Sequence, residues 1–181
     1  MFFLFLKRCG FLYKITKDFK RVFQTPMAKV CEFFDRQGVG SRLIALELSS
    51  APPELAAAAL HCAPQRIAKT LSFLLDIGPL LIVAAGDTRI DNAKYKARLG
   101  AKTKMLPLAE VEQIIGHAVG GVCPFAVNSG VKVYLNCSLQ RFKTVFPVCG
   151  SANNAIEKTI PELEKYSGAA DRLDICKDWH C

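Results

Sequence analysis

The stretch with the clearest chemical potential is Gly120-Gly121-Val122-Cys123-Pro124-Phe125. Two adjacent glycines allow the backbone to adopt a positive φ and to approach a ligand closely. Pro124 fixes its own φ and carries no N–H, so the amide hydrogens around the glycines are left to point at a ligand. Such a loop can bind a carbonyl oxygen, an oxyanion or a phosphate. The same spacing is also that of an ordinary tight turn between a helix and a strand.

A second candidate is Lys69, which opens the strand-like run Lys69-Thr70-Leu71-Ser72-Phe73-Leu74-Leu75. A lysine at the end of a strand can lay its stem along apolar surface and place its ammonium at the mouth of a cleft. A point charge of this kind suits an RNA phosphate. The residue alone does not distinguish this role from that of a solvated surface lysine.

Helix and strand signals alternate along the chain from Met27 onward. The periodicity and the glycine and proline positions predict helices around residues 30–37, 53–60, 91–99, 108–115 and 160–166. They predict strands at residues 42–48, 69–75, 80–85, 101–105, 131–135, 144–149 and 172–176, of which the wholly apolar run 80–85 is expected to be buried on both faces. The expected fold class is α/β, with a mixed, partly barrel-like β-sheet of about six to seven strands flanked by helices.

The composition indicates an ordinary globular domain of 181 residues. Eight cysteines occur without a CxxC pair, which favours free thiols in a reducing compartment and predicts a cytoplasmic protein. No apolar run is long enough to span a membrane. Cys176, His180 and Cys181 lie close in sequence but lack an evident fourth ligand, and no nucleotide-binding glycine motif is present. We therefore predict neither a metal nor a cofactor.

The formal net charge of +8 is unevenly distributed: residues 1–26 carry +5 and residues 27–181 carry +3. Ile15, Phe19, Val22 and Phe23 would form one apolar helical face among lysines and arginines. This segment could be a surface-binding amphipathic helix, a targeting peptide, or sequence upstream of a start at Met27. We favour the third interpretation, so that residues 1–26 form a non-native or disordered extension and residues 27–181 form a single domain.

Six short motifs follow one another along the chain. They are Ile67-Ala68-Lys69-Thr70-Leu71, Ala85-Gly86-Asp87, Asp91-Asn92-Ala93-Lys94, Leu99-Gly100-Ala101-Lys102, Val119-Gly120-Gly121-Val122-Cys123-Pro124-Phe125 and Cys149-Gly150-Ser151. In this order and spacing the chain resembles the YbaK/prolyl-tRNA-synthetase-associated editing domain family, over about residues 30–176. Members of that family hydrolyse the ester of mischarged tRNA, either as free-standing proteins or as a domain of the synthetase. With no synthetase sequence attached, this chain resembles the free-standing kind.

The resemblance also implies roles for particular residues. Lys69 would hold the RNA 3′ end, and the amides of Gly120 and Gly121 would orient the aminoacyl carbonyl. Asp91 could equally cap a helix. Many relatives carry glycine where this chain has Ala126, which would narrow or stiffen the pocket. The remaining substrate contacts that the resemblance implies are Thr70, Asp87, Asp91, Val122, Cys123, Pro124, Phe125, Gly150 and Ser151.

The predicted reaction uses water, with help from the 2′-hydroxyl of the substrate, and forms no covalent intermediate. We do not expect Cys123 to act as a nucleophile, because no His or Asp partner follows it at a recognisable spacing. A histidine that some relatives carry near Ser151 is absent, which leaves the amino-acid specificity open.

The expected substrate is tRNA(Pro) carrying a small wrong amino acid such as Cys, Ala, Ser or Thr. The expected partner is the aminoacylated 3′ CCA end of tRNA, and prolyl-tRNA synthetase is a second candidate. We do not expect the protein to bind a membrane. The alternatives are a non-catalytic tRNA- or synthetase-binding module of the same fold, and a membrane-surface protein acting through residues 1–26.

Overall fold

The computed structural model describes residues 5–8, 11–14, 25–46 and 53–179. The helices are α1 (Pro26–Arg36), α2 (Pro53–Ala59), α3 (Asn92–Leu99), α4 (Leu108–Ile115) and α5 (Ile160–Ser167). The strands are β1 (Phe5–Arg8), β2 (Phe11–Lys14), β3 (Leu43–Ala45), β4 (Ile67–Leu75), β5 (Gly78–Ala84), β6 (Arg89–Ile90), β7 (Lys132–Asn136), β8 (Thr144–Pro147), β9 (Asn154–Ile156), β10 (Lys158–Thr159), β11 (Asp171–Leu173) and β12 (Cys176–Lys177). Short 3-10 turns occur at Gly40–Arg42, Pro64–Arg66 and Cys137–Arg141.

A six-stranded mixed sheet forms the centre of the fold, in the order β10-β8-β4-β5-β7-β11. Strand β4 pairs antiparallel with β5 and parallel with β8, and β7 pairs parallel with both β5 and β11. Three two-stranded pairs, β1-β2, β3-β9 and β6-β12, lie outside this sheet. The predicted mixed, half-barrel α/β architecture is therefore confirmed.

Strand β5 is buried on both faces, as its apolar sequence predicted. Leu81 and Val83 belong to the core that the helices α1, α4 and α5 cover. Leu80 and Ile82 belong to a second core on the opposite face, together with Tyr95 of α3. Because successive side chains of a strand point to opposite faces, this one strand joins the two cores.

The helix ends follow from local capping. Thr25 begins α1 by accepting a hydrogen bond from the Ala28 N–H at 3.2 Å. Helix α4 has the predicted bounds, and Gly116 ends it in the left-handed region with φ 92°. The cap of α1 thus lies two residues before the predicted domain boundary. The predicted amphipathic helix of residues 15–23 lies outside the described residues, while β1 and β2 of the extension form an antiparallel hairpin.

Several predicted strands differ from those observed. The strand predicted at residues 101–105 is wrong, because this segment makes only one isolated bridge, between Phe73 and Met105. The strand predicted at residues 42–48 covers only Leu43–Ala45 among the described residues. Strands β6, β9 and β10 were missed, since two or three residues are too few to show an alternating pattern.

Lys158, in β10, is a buried cation. Its side chain is fully inaccessible, and its Nζ has no hydrogen-bond partner among the described residues. The ammonium instead lies over the rings of Tyr166 and Phe34, 4.6 and 5.0 Å from their centroids. Burial lowers the pKa of Lys158 because it disfavours the charged form.

Candidate active site

A cleft of about 280 Å³ opens between β4, the start of α4 and the loop that follows it. Strand β4 contributes Lys69 and Thr70, and the loop contributes Gly120 and Val122. The structure therefore brings together four of the predicted site residues from segments about 50 positions apart. The remaining walls are mainly apolar, formed by Ile67, Ala68, Ser72, Met105, Leu108, Val111, Val119 and Val148.

The Lys69 ammonium is held at the cleft by backbone carbonyls. Its Nζ donates to the carbonyl oxygen of Gly86 at 3.2 Å and to that of Thr88. Burial lowers the pKa of Lys69, and the nearby Cys176 thiol and Asp87 carboxylate oppose this shift. Because an ammonium has three N–H donors, two carbonyls leave one donor for a ligand in the cleft.

The two glycines of the loop face in different directions. Gly120 adopts φ 85°, which an L side chain rarely adopts, and lines the cleft. Gly121 is buried behind it, where an added Cβ would lie 2.7 Å from the carbonyl carbon and oxygen of Gly150. The Gly121 N–H already donates to the Ala118 carbonyl at 2.9 Å. The prediction that the Gly121 amide orients the substrate carbonyl is therefore wrong, and Gly121 instead allows two loops to touch.

The other amides of the loop remain available. Within the described residues, the N–H groups of Gly120 and Val122 make no hydrogen bond. Both residues line the cleft, on the same wall as the exposed side chain of Val119. Two unpaired backbone donors next to an ammonium can stabilise negative charge on an oxygen atom.

The two acidic candidates are occupied within the fold. Asp87 forms a bidentate ion pair with Arg141, at 2.6 and 2.9 Å. Asp91 caps α3 by accepting from the N–H groups of Ala93 and Lys94, at 2.9 and 3.1 Å. The Lys94 N–H is the main cause of the lowered pKa of Asp91. Of the two roles open to Asp91, the structure shows the helix cap, and neither carboxylate lines the cleft.

Cys123 lies in the core and touches a histidine that the sequence analysis missed. Its Sγ is 3.6 Å from Nε2 of the buried His117, which precedes it by six residues. A carbonyl oxygen can only accept, so Nε2 carries the proton that it donates to the Phe125 oxygen at 2.8 Å. That nitrogen therefore cannot take a proton from the thiol. Burial raises the pKa of Cys123 to about 12, so a thiolate nucleophile is not expected there.

The remaining candidates are not among the residues that line the Lys69 cleft. Phe125 packs edge-on against Phe34 in the core, with 4.8 Å between ring centroids. Pro124 lines a separate cavity of about 370 Å³ together with Ala126, so the expectation that Ala126 narrows the pocket is wrong for the Lys69 cleft. Ala126 adopts φ 51°, where glycine carries no steric penalty. Gly150 lies against the first turn of α1, and the Ser151 hydroxyl accepts from the Asn153 N–H at 3.3 Å.

The apolar rim of the cleft was not predicted. Met105, Leu108 and Val119 are 57, 71 and 56% exposed, although large apolar side chains are usually covered. All three line the cleft opening, which suits a ligand that would cover them. They come from three segments, so no periodic pattern in the sequence could have grouped them.

Comparison with known proteins decides the family. The model described as "Aminoacyl-tRNA editing domain" matches residues 49–166. The chain belongs to the aminoacyl-tRNA editing domain family. This editing-domain protein is 49% identical over 134 residues to the uncharacterized protein YwhH of Bacillus subtilis (strain 168). The aligned region covers 74% of this chain and 85% of YwhH. The predicted family is therefore confirmed.

Two solved structures support the same assignment. One is a protein proposed as a trans-editing enzyme for prolyl-tRNA synthetase, with a TM-score of 0.76 and 25% identity over 84% of this chain and 97% of that one. The other is the hypothetical protein APE2540, with a TM-score of 0.72 and 28% identity over 82% of this chain and 99% of that one. Since both are covered almost completely, the editing-domain protein shares their whole fold.

The described residues include neither a membrane-spanning helix nor a metal-binding cluster. Within residues 5–8, 11–14, 25–46 and 53–179, no helix is both long and apolar enough to cross a membrane. In the same residues, no group of three His, Cys, Asp or Glu side chains could hold a metal ion. His180 and Cys181, which the sequence analysis weighed as metal ligands, lie outside the described part of the chain.

Proposed function

We propose that this editing-domain protein is a free-standing deacylase that hydrolyses the ester of mischarged tRNA. The main support is that one cleft is lined by Lys69, Gly120 and Val122, and that the amides of Gly120 and Val122 make no hydrogen bond to any described residue. The leading substrate is tRNA(Pro) carrying Cys, Ala, Ser or Thr, a choice supported by the structural relative proposed to act with prolyl-tRNA synthetase. Such a substrate would place the protein in the cytoplasm.

The proposed reaction needs only water and the groups of the cleft. The remaining N–H donor of Lys69 binds the terminal phosphate of the RNA. The amides of Gly120 and Val122 donate to the ester carbonyl oxygen, where negative charge develops as water adds to the carbonyl carbon. The bond from that carbon to the ribose oxygen then breaks, and the ribose oxygen takes up a proton. Free tRNA and the amino acid leave, and the neighbouring 2′-hydroxyl assists the attack of water.

The dimensions and walls of the cleft favour a small side chain. A space of about 280 Å³ must hold the aminoacyl group and part of the terminal ribose. Val111 and Val148 provide apolar walls, while Thr70 and Ser72 add hydroxyl groups. Steric exclusion can reject large amino acids, but apolar contacts separate near-isosteres by only about 1–3 kcal/mol. The amino acid must therefore be identified by assay.

A basic segment next to the cleft supports an RNA substrate. Residues 89–104 carry six Lys or Arg and one Asp, a net charge of +5, whereas the rest of residues 27–181 has a net charge of −2. Within this segment Lys96 and Lys102 line a groove of about 540 Å³ and form no ion pair in the described part of the chain. Met105, immediately beyond the segment, lines the cleft itself. The unpaired charges of Lys96 and Lys102 among the described residues suit contacts with the phosphates of a bound RNA.

The experiment that tests the proposal is deacylation of a panel of alanyl-, cysteinyl-, seryl- and threonyl-tRNAs by the purified protein. We expect hydrolysis of at least one of them, and a loss of about 100-fold in the Lys69→Ala variant with unchanged melting, because the ester is no longer held in place at the loop amides. Lys132→Ala is the matched control, because Lys132 is exposed and pairs with Leu80 at the far end of β5. Binding of tRNA without hydrolysis above the buffer rate would favour the non-catalytic binding module. Full activity of Lys69→Ala would remove Lys69 from the site.

A further inference from the structure

Arg141 makes the most buried ion pair among the described residues. The side chains of Arg141 and Asp87 are 17 and 27% exposed, and no other ion pair between described residues has both partners this well buried. Two parallel N–H···O bonds join them, and Nε of Arg141 also donates to the Ser138 carbonyl at 3.0 Å. A bidentate pair of this kind fixes both distance and orientation, and its burial reduces solvent screening.

The pair bears directly on the position of Lys69. Asp87 stands between Gly86 and Thr88, the two residues whose carbonyl oxygens accept hydrogen bonds from the Lys69 ammonium. A displacement of the Asp87 backbone would therefore disturb the positions of both acceptors. Arg141 is 54 residues from Asp87 in sequence, so it ties this loop to a different part of the fold.

The loop is held from its other side by backbone contacts. The Gly86 N–H donates to the Gln65 carbonyl at 3.2 Å, and a Cβ at Gly86 would lie 2.5 Å from the Pro64 oxygen. The Thr88 hydroxyl donates to the Ala85 carbonyl at 2.8 Å. These contacts fix the ends of the three-residue loop, and the Arg141 pair holds the middle.

The Arg141 guanidinium lies over two aromatic rings. Its guanidinium carbon lies 4.9 Å from the centroid of the Phe142 ring and 5.7 Å from that of Trp179. The Trp179 indole N–H donates to the Cys176 carbonyl at 3.2 Å. Because Trp179 is the single tryptophan of the chain, its fluorescence reports on the surroundings of Arg141.

We propose that Arg141 is a positioning residue for Lys69. Through Asp87 it holds the Gly86 and Thr88 carbonyls in place, and these carbonyls aim the ammonium into the cleft. Arg141 does not line the cleft itself. The proposal rests on the proposed function only for its effect on catalysis, while the link between Arg141 and the loop can be tested without any substrate.

The first experiment measures hydrogen exchange and tryptophan emission in the full chain. In Arg141→Gln we expect exchange of the Gly86 and Thr88 amides to accelerate by about 10-fold or more, together with a shift in Trp179 emission. The control is Arg172→Gln, which removes an exposed ion pair with Glu164. Unchanged exchange at Gly86 and Thr88 in Arg141→Gln would overturn the proposal, whatever the protein hydrolyses.

The second experiment measures single-turnover deacylation of the best mischarged tRNA. Because Lys69 is proposed to hold the RNA phosphate and thereby place the ester at the loop amides, we expect Arg141→Gln to lower kcat/KM by between about 10-fold and about 100-fold. In a Lys69→Ala background the same change should have no further effect, because the positioned group is already absent. Arg141→Lys should recover only part of the rate, since a lysine cannot form the bidentate pair.

Three outcomes would contradict the proposal in this second experiment. Equal losses with and without Lys69 would show that Arg141 acts independently. A raised KM with a reduced salt dependence that persists in the Lys69→Ala background would show that Arg141 itself binds an RNA phosphate. Full activity of Arg141→Gln would show that the loop needs no such support. If no tRNA is hydrolysed by the unmodified protein, the proposed function fails, and hydrogen exchange alone decides the role of Arg141.

Discussion

Gly121→Ala is the change that most directly tests how the loop forms the site. An added Cβ would lie 2.7 Å from the Gly150 carbonyl carbon and 2.8 Å from the Ser151 Cα. These contacts are about 0.8 Å closer than carbon atoms normally approach. Gly150 has little room on its other side, because a Cβ added there would lie 3.0 Å from the Met27 Cα and the Pro26 oxygen of α1. We therefore expect a part of the displacement to fall on the Gly120–Val122 backbone.

The expected result has a structural and a catalytic part. Overpacking of this kind lowers the free energy of unfolding by about 1–3 kcal/mol. Because a misplacement of about 1 Å can cost a site roughly 100-fold in rate, we expect deacylation to fall by about that factor. Urea unfolding measures the first quantity, and single-turnover hydrolysis of a mischarged tRNA measures the second.

Gly130→Ala is the matched control for this experiment. Gly130 adopts φ 87° and has no atom within 4 Å of its Cβ position, so alanine there introduces backbone strain of about 1 kcal/mol without a collision. We expect it to lose stability but keep its activity. The reasoning would be refuted if Gly121→Ala unfolded like the control and hydrolysed tRNA at the normal rate.

Three further predictions follow from the charges of the fold. Lys158→Met should raise the free energy of unfolding by about 1–3 kcal/mol at pH 7, because the lowered pKa of Lys158 means that its charged form destabilises the folded state. The difference in free energy of unfolding between Lys158→Met and the unmodified protein should shrink as the pH rises toward 10.5, where Lys158 in the unfolded chain also loses its proton. Urea unfolding at pH 7 and at pH 10 measures this difference. Lys96→Gln with Lys102→Gln should weaken tRNA binding and lower its salt slope by about 2, measured by fluorescence anisotropy with Lys132→Gln as control. The pKa of Glu162 is lowered to about 2, mainly by the Arg42 guanidinium, so the Glu162 carboxylate should stabilise the fold above pH 4.5 and lose that effect as the pH falls toward 2. If acid lowered the free energy of unfolding of Glu162→Gln as much as that of the unmodified protein, this prediction would be contradicted.

Patterns within the sequence were sufficient for the helices and the fold class. Gly116 ends α4 at the predicted residue because glycine reaches φ 92° without steric cost. The apolar run of β5 predicted burial on both faces, and Leu81 and Ile82 indeed lie in opposite cores. Such features depend on neighbouring residues, whose propensities and spacing can be read directly.

The motifs indicated a lysine and a glycine loop as site candidates, but not which of their groups are free to bind a ligand. Lys69 and Gly120 line one cleft. Gly121, however, donates its N–H to Ala118, and Asp87 is bound by Arg141. Sequence spacing carries no information on which acceptor satisfies a given N–H or carboxylate.

The sequence by itself determined the family and the alternation of helices and strands. It also indicated Lys69 and the glycine loop at residues 120–124 as candidates for the same site. The tertiary structure alone decided that Gly121 faces Gly150 and that His117 lies against Cys123. It also decided that Arg141, through Asp87, holds the loop that contacts Lys69. The physical reason is that helix caps and alternating patterns form between neighbours in the chain. Hydrogen bonds and close contacts between distant segments exist only once the order of the sheet has brought those segments together.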